Sequence, residues 1–179
     1  MRGMSISRRR FLTAMSAAPL LASPLAGQAA LSPVRELRFD NLHTGERLSV
    51  AYFAAGRYLD DALGEINHLL RDFRTGDVGA IDPSLLDLLH VLRQQTGTRQ
   101  AFQVISGYRS PATNATLHKK SSGVATRSLH MEGRAIDIRL ADVELSTLRD
   151  AALSLRLGGV GFYPGSNFVH VDTGRVRAW

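Results

Sequence analysis

The sequence predicts an α+β domain in which an N-terminal hairpin and helices pack on a small, mostly antiparallel sheet. Three observations favour this class: alternating apolar residues near residue 40, leucines at helical spacing in the first half, and short apolar runs separated by turns in the second half. Because the helices precede most of the strands and do not alternate with them, the order is typical of α+β domains.

The first element is a β-hairpin, since the apolar residues alternate on both sides of NLHTGE, with Gly45 in the turn. A first helix is predicted from apolar residues at a helical interval: Leu59, Leu63, Ile66, Leu69, Leu70 and Phe73. A second helix begins at Asp82, a good N-cap, with Pro83 in its first turn, and it ends before Gly97.

The second half begins with a short strand, AFQVIS, and continues with a long polar loop, GYRSPATNATLHKKSSGVATRS, which has no periodicity. Long loops of this kind are usually functional. A strand, RAIDIRL, then precedes a third helix, DVELSTLRDAALSL. Two strands, VGFY and NFVHVD, follow around the turn Pro164-Gly165-Ser166.

Residues 1–29 have the pattern of an export signal: the basic cluster Arg8-Arg9-Arg10, an apolar run and a tail of small residues. Ser7-Arg8-Arg9-Arg10-Phe11-Leu12 resembles the twin-arginine motif, which predicts an exported, periplasmic protein. An uncleaved membrane anchor is the alternative, but the run is short and is interrupted by Pro19 and Pro24. Residues 30–179 are then a single domain.

The signal also accounts for much of the charge. The chain has a formal net charge of +6, and removing Arg2, Arg8, Arg9 and Arg10 leaves 18 basic against 16 acidic residues, a net +2. This balance disfavours a nucleic-acid partner. The chain has no cysteine, so any metal must be held by histidine and carboxylate side chains.

Asp137 is the first candidate ligand. In RAIDIRL, Ile136 and Ile138 point to one face and Asp137 to the other, and a carboxylate in an apolar strand is costly unless it is paired or bound to a cation. His130 lies just before this strand, within reach if Gly133 folds the chain back. A salt bridge from Asp137 to Arg134 or Arg139 is the alternative.

His170 strengthens the metal hypothesis. In NFVHVDTG, Phe168, His170 and Asp172 share one face, and Val169 and Val171 the other. A His-Asp-His set without a fourth protein ligand is the composition of a catalytic zinc site with an open position for water. We therefore expect one Zn²⁺ per chain.

These residues carry a resemblance to a known family. The pattern Ser128-x-His130-x-x-Gly133-x-Ala135-x-Asp137 is similar to the signature of the superfamily that joins lysostaphin-type, D-Ala-D-Ala and hedgehog-type zinc folds. SGYRSP and GGVGFYPGSNFVHVDTGRVRAW resemble the YcbK-like murein endopeptidase K branch. The resemblance implies zinc ligands at His130, Asp137 and His170. It also implies hydrolysis of peptide cross-links in peptidoglycan during wall growth, with stem peptides as partners.

The resemblance also suggests roles around the metal. Ser128 would steady the metal loop, and Arg109 would hold a carboxylate or carbonyl of the substrate. For Arg109, the alternative is an ion pair with an acid of one of the helices.

The general base departs from the family pattern. D-Ala-D-Ala relatives have an acid three residues before the last histidine, and Asn167 occupies that place here. We expect Asp172 to replace it, because it points to the same side as His170. The alternative is that Asp172 only orients His170 or shapes the following turn.

Other functions remain open at this point. A non-catalytic peptidoglycan-binding module would keep the fold and the metal, and a D,D- or L,D-carboxypeptidase would cut a terminal bond. A structural zinc domain would need a fourth protein ligand, for which Asp172 is the candidate. The sequence leaves open whether a D-Ala–diaminopimelate or a diaminopimelate–diaminopimelate link is cut.

Overall fold

The computed structural model describes residues 34–120 and 125–179, and the expected export signal lies outside them. An eight-stranded sheet has the order β3-β2-β1-β4-β5-β7-β6-β8. The strands are β1 Arg35–Asn41, β2 Arg47–Ala54, β3 Arg57–Tyr58, β4 Phe102–Ser106, β5 Ala135–Arg139, β6 Gly159–Tyr163, β7 Phe168–Asp172 and β8 Arg177–Ala178. The helices are α1 Asp60–Leu69, α2 Pro83–Thr96, α3 Pro111–Lys120 and α4 Leu145–Leu155, with 3-10 turns at Leu129–Glu132 and Pro164–Ser166.

The α+β class is confirmed, but the sheet is mixed and larger than the small, mostly antiparallel sheet that the sequence predicts. β1 pairs with β4 in parallel, and so does β6 with β8. The N-terminal hairpin is therefore part of the same sheet as the second-half strands. The β1–β4 pairing joins residues 39–41 to residues 102–104, a separation that no local sequence pattern reveals.

Local chemistry explains the elements that were predicted well. In the hairpin turn, the side-chain oxygen of Asn41 accepts backbone hydrogen bonds from His43 and Thr44, and Gly45 has φ +74°. At the start of α2, Asp82 accepts a bond from the Ser84 N–H at 2.9 Å. Gly97 ends α2 in the left-handed region.

Two helical predictions need correction. The first helix, expected to reach Phe73, ends at Leu69, because the chain turns around Asp72, whose carbonyl and N–H bond to Gly76 and Asp77. The segment expected to be a structureless loop contains α3. This helix escaped detection because the residues it buries, Thr113 and Asn114, are polar and supply no apolar period.

The core lies between the sheet and helices α1, α2 and α4. Ile136 and Ile138 of β5 and Val169 and Val171 of β7 are buried in it, which confirms the predicted faces of both strands. Strand alternation then places the intervening side chains on the other face. Within the described residues, none of the helices has the length and apolar character needed to cross a membrane.

Candidate metal centre

Asp137, His130 and His170 meet at the floor of a cleft. Asp137 and His170 are direct partners in the β5–β7 pairing, and His130 lies in the 3-10 turn before β5. Asp137 Oδ1 is 2.8 Å from His170 Nδ1 and 3.3 Å from His130 Nε2, and the two ring nitrogens are 3.2 Å apart. One ligand atom from each residue lies within 4.8 Å of the others.

The turn that carries His130 is fixed by its two ends. Ser128 begins it, and its hydroxyl oxygen accepts a hydrogen bond from the His130 N–H at 3.4 Å. Gly133 ends the turn at φ +66°, where its Cα packs against the Ala80 carbonyl with no room for a side chain. The His130 carbonyl also accepts a bond from the Arg109 N–H at 3.1 Å.

His130, Asp137 and His170 are called the cluster below. Hydrogen bonds to residues outside the cluster determine which nitrogen of each ring faces into it. His130 Nδ1 lies 2.7 Å from the Gly107 carbonyl, and His170 Nε2 lies 3.0 Å from Asp172 Oδ2. When each ring is neutral and donates its proton to the acceptor that faces its outer nitrogen, its inner nitrogen has a lone pair directed at Asp137. Two lone pairs and a carboxylate oxygen at this separation require a proton or a cation between them.

The same contacts perturb the ionisation of the cluster. Burial raises the pKa of Asp137, but the charges and hydrogen bonds of His130 and His170 outweigh it and hold that pKa well below its ordinary value. Burial lowers the pKa of His170, but hydrogen bonds to Asp137 and Asp172 raise it overall. The carboxylate is therefore ionised, as a metal ligand must be.

Asp172 lies behind His170 and not at the cleft surface. It is fully buried, and Arg177 binds both of its oxygens, at 3.0 and 2.6 Å. The Gly159 and Gly174 N–H groups donate to Oδ1. Although Asp172 leaves the strand on the side of His170, as expected, it contacts the nitrogen that faces away from the cluster.

Arg109 is buried beside His130, Asp137 and His170, and one of its donors, Nε, is unsatisfied. Its Nη2 lies 3.7 Å from Asp137 Oδ2, and its bonds to Ser106 and Asn114 are long, at 3.5 and 3.4 Å. Its Nε has no hydrogen-bond partner among the described residues. Its ion pair is with Asp137, so the alternative of a pair with a helix acid is wrong. Asp137, likewise, does not pair with Arg134 or Arg139, which bond elsewhere.

The cleft has a volume of about 500 Å³ and a basic and aromatic wall. Its lining includes the cluster, Arg109, Arg127, Arg177 and the aromatic residues Tyr163, Phe168 and Trp179. Asp137 is the one carboxylate among the described residues that line it. Sequence reasoning missed Arg177 and Trp179, because β8 is only two residues long and shows no alternation.

Comparison with known proteins supports one assignment. The model of the family described as peptidoglycan L,D-endopeptidase MepK matches residues 29–179. Peptidoglycan L,D-endopeptidase MepK of Escherichia coli K12 is 45% identical over 177 residues, which cover 97% of this chain and 97% of that protein. A probable peptidoglycan L,D-endopeptidase MepK of Haemophilus influenzae is 47% identical over 146 residues, 81% of this chain and 78% of that protein.

A partial overlap exists with one solved structure, the Serratia marcescens L-Ala D-Glu endopeptidase ChiX. The two are 19% identical, and the overlap covers 53% of this chain and 68% of that one with a TM-score of 0.36.

Proposed function

Since the chain belongs to the peptidoglycan L,D-endopeptidase MepK family, we propose that it cuts peptide cross-links in peptidoglycan as a zinc enzyme. Family membership makes it a peptidase that acts on peptidoglycan. Beyond family membership, we propose the metal, the residues that bind it and the peptidoglycan bond that is cut. The convergence of His130, Asp137 and His170 in the cleft carries this proposal.

The donor set suits zinc. Two imidazole nitrogens and one carboxylate oxygen are typical zinc donors, and a three-residue protein shell leaves a coordination position for water. The partners of the two rings, the Gly107 carbonyl and Asp172, are those that hold metal-binding histidines in one tautomer. A structural zinc domain is disfavoured, because Asp172, its candidate fourth ligand, contacts the outer nitrogen of His170.

The residues around the ion would bind the substrate and hold the metal ligands in position. Zinc bound there would polarise a substrate carbonyl and lower the pKa of a coordinated water. Arg109, with an unpartnered Nε and long contacts, would bind a carbonyl or carboxylate oxygen of the stem peptide. Ser128 would keep His130 in place. For Asp172, its burial and its bond to His170 support an orienting role over that of general base.

The relatives' names narrow the choice of bond. Both curated relatives are named L,D-endopeptidases, which favours the diaminopimelate–diaminopimelate link, formed between an L and a D centre, over the D-Ala–diaminopimelate link. A non-catalytic binding module remains the second candidate, because Asn167 replaces the family acid and Asp137 is the one carboxylate in the described cleft lining.

Digestion of purified sacculi by the mature protein tests the proposal. We expect loss of diaminopimelate–diaminopimelate dimers from the muropeptides, measured by mass spectrometry, and we expect a chelator or His130→Ala to abolish it. His68→Ala, at an exposed histidine of α1, is the matched control and should retain activity. Binding to sacculi with all cross-links intact would favour the non-catalytic module, and release of terminal D-alanine alone would indicate a carboxypeptidase.

A peptidoglycan substrate implies an exported protein, and we propose the twin-arginine pathway for this step. Arg8 and Arg9 form the twin pair of the motif. Replacing both by lysine should leave the precursor in the cytoplasmic fraction, whereas Arg2→Lys should not. Unchanged periplasmic recovery of the double variant would rule this pathway out.

A further inference from the structure

Tyr163 and Trp179 form a hydrogen bond of defined direction at the wall of the cleft. Trp179 Nε1 lies 2.6 Å from the Tyr163 hydroxyl oxygen. An indole N–H can only donate, so the tyrosine oxygen is the acceptor and its own hydrogen is not used in this bond. Within the described residues the Tyr163 hydroxyl makes no other hydrogen bond.

Both rings are held in place by their neighbours. Tyr163 stacks on Phe168 with ring centroids 4.6 Å apart, and Trp179 lies against His170 with centroids 5.2 Å apart. The Trp179 backbone is bonded at both its N–H and its carbonyl, to Val160 and Phe162 of β6. The pair is thus attached to the strand next to the one that carries His170.

Gly161 makes room for this arrangement. It is the direct partner of His170 in the β6–β7 pairing, so a side chain at position 161 would point to the same face as His170. A Cβ there would lie 2.8 Å from both the Trp179 and the Tyr163 rings. Glycine therefore allows the rings of Tyr163 and Trp179 to pack over β6 next to His170.

Tyr163 lines the same cleft as His130, Asp137 and His170. Its hydroxyl combines an oxygen held by Trp179, a hydrogen that no described residue accepts, and a place at the wall of the cleft. Donors that are oriented before reaction and aimed at a developing negative charge stabilise transition states strongly.

We propose that the Tyr163 hydroxyl donates a hydrogen bond to the carbonyl oxygen of the substrate peptide as that oxygen gains negative charge. Trp179 is a positioning residue, which holds the tyrosine oxygen as an acceptor and so directs its hydrogen into the cleft. This role rests on the proposed peptidase function. No bond is made or broken at Tyr163, and its proton stays on the phenol.

Kinetics on a purified cross-linked muropeptide test the role. Tyr163→Phe should lower kcat about 100-fold or more, the usual effect of losing one such donor, with KM, zinc content and Tm near those of the wild type. Trp179→Phe keeps an aromatic ring beside His170 and should lower kcat less. The double variant should be no worse than Tyr163→Phe, because both changes act through one hydroxyl. Tyr58→Phe, which removes a hydroxyl bonded to Asp87 far along the sheet, is the matched control.

A binding measurement separates this role from a structural one. A phosphinate dipeptide carries a tetrahedral anionic centre in place of the reacting carbonyl, and calorimetry measures its affinity for the zinc-loaded protein. Tyr163→Phe should weaken the phosphinate at least tenfold and leave the affinity for the cleaved product peptide within twofold. An active wild type with an equally active Tyr163→Phe variant and unchanged phosphinate affinity would overturn the role of Tyr163. An inactive wild type would instead contradict the proposed function.

Discussion

Trp179 is the single tryptophan of the chain, and its ring lies beside a proposed metal ligand, 5.2 Å from that of His170. Fluorescence excited at the red edge of tryptophan absorption therefore comes from the cleft alone. The fluorescence of Trp179 can therefore report the binding of an ion or ligand in the cleft.

We predict that Co²⁺ added to the metal-free protein quenches this fluorescence, because an open-shell ion next to His170 provides a nearby route for loss of the excited state. Closed-shell Zn²⁺ should not quench, and it should block quenching by Co²⁺ that is added later. His130→Ala, which keeps Trp179, should lose the effect at the same metal concentration. Equal quenching in wild type and variant would show that the ion binds elsewhere.

Asp172 distinguishes two chemical roles that the sequence alone leaves open. If it orients His170, Asp172→Asn should weaken zinc binding by about 10- to 100-fold, as loss of an outer partner of a metal-bound histidine does. Competition with a chromophoric chelator measures this. Loss of kcat at full zinc occupancy and unchanged zinc affinity would instead identify Asp172 as the general base.

Some features of the site follow from local sequence patterns, and others depend on contacts between distant parts of the chain. Spacing and strand alternation made His130, Asp137 and His170 candidates, and the resemblance to a zinc-peptidase family implied that they form one ligand set, whereas their proximity depends on the β5–β7 pairing. Alternation also placed Asp172 on the correct side of β7, but it could not show which nitrogen of His170 the carboxylate meets. That choice depends on Arg177 and on the Gly159 and Gly174 N–H groups, which no local pattern connects to Asp172.

At the scale of elements, Asp72 ties the chain after α1 to the start of α3. It is buried and accepts hydrogen bonds from the Ser110 and Arg74 N–H groups. Burial raises the pKa of this carboxyl, but these bonds and one from the Thr113 hydroxyl lower it from 3.8 to about 2. The segment with Arg109 is therefore anchored through an ionised group.

We predict that Asp72→Asn lowers the free energy of unfolding at pH 7 by roughly 2 kcal/mol, the value of this pKa difference. Because the pKa is lower in the folded state, the stabilisation is complete above the unfolded pKa of about 3.8 and disappears as the pH falls toward 2. Urea denaturation over this range measures the difference between wild type and variant, which should shrink as the pH falls. Asp77→Asn, at an exposed position of the same turn, should change little at any pH.

The helices that the sequence predicted are those with an apolar period, and in α2 the ends are encoded locally as well. Asp82, Pro83 and Gly97 give α2 both of its caps. α3 has no apolar period, because polar contacts hold it in place. The Ser110 hydroxyl accepts a bond from the Thr113 N–H at its start, and the Asn114 side chain donates to the carbonyls of Ala125 and Thr126. The parallel β1–β4 contact depends on the whole fold, so it could not be read from either strand.

At the scale of the whole molecule, the proposed ion would join three separate pieces of chain. Its ligands come from the turn at Leu129–Glu132, from β5 and from β7. A ligand that binds only the native state stabilises it by mass action, by about 4 kcal/mol when its free concentration is a thousand times its Kd.

We predict that a chelator lowers the Tm of the zinc-loaded protein by several degrees and that added Zn²⁺ restores it, as measured by calorimetry. His130→Ala should begin near the Tm of the metal-free wild type and should respond to neither addition. A wild-type Tm that is independent of zinc and chelator would contradict a specific metal centre.

The parallel pairing of β1 with β4 also bears on how fast the chain can fold. The hairpin of β1 and β2 can close on its own, but the centre of the sheet forms only when residues 39–41 find residues 102–104. Pairings of this range slow folding, because the entropy of closing the loop is lost before the contacts compensate for it. We expect the metal ligands to come together only after β5 and β7 have joined this sheet. Zinc should accordingly slow unfolding while leaving the folding rate almost unchanged.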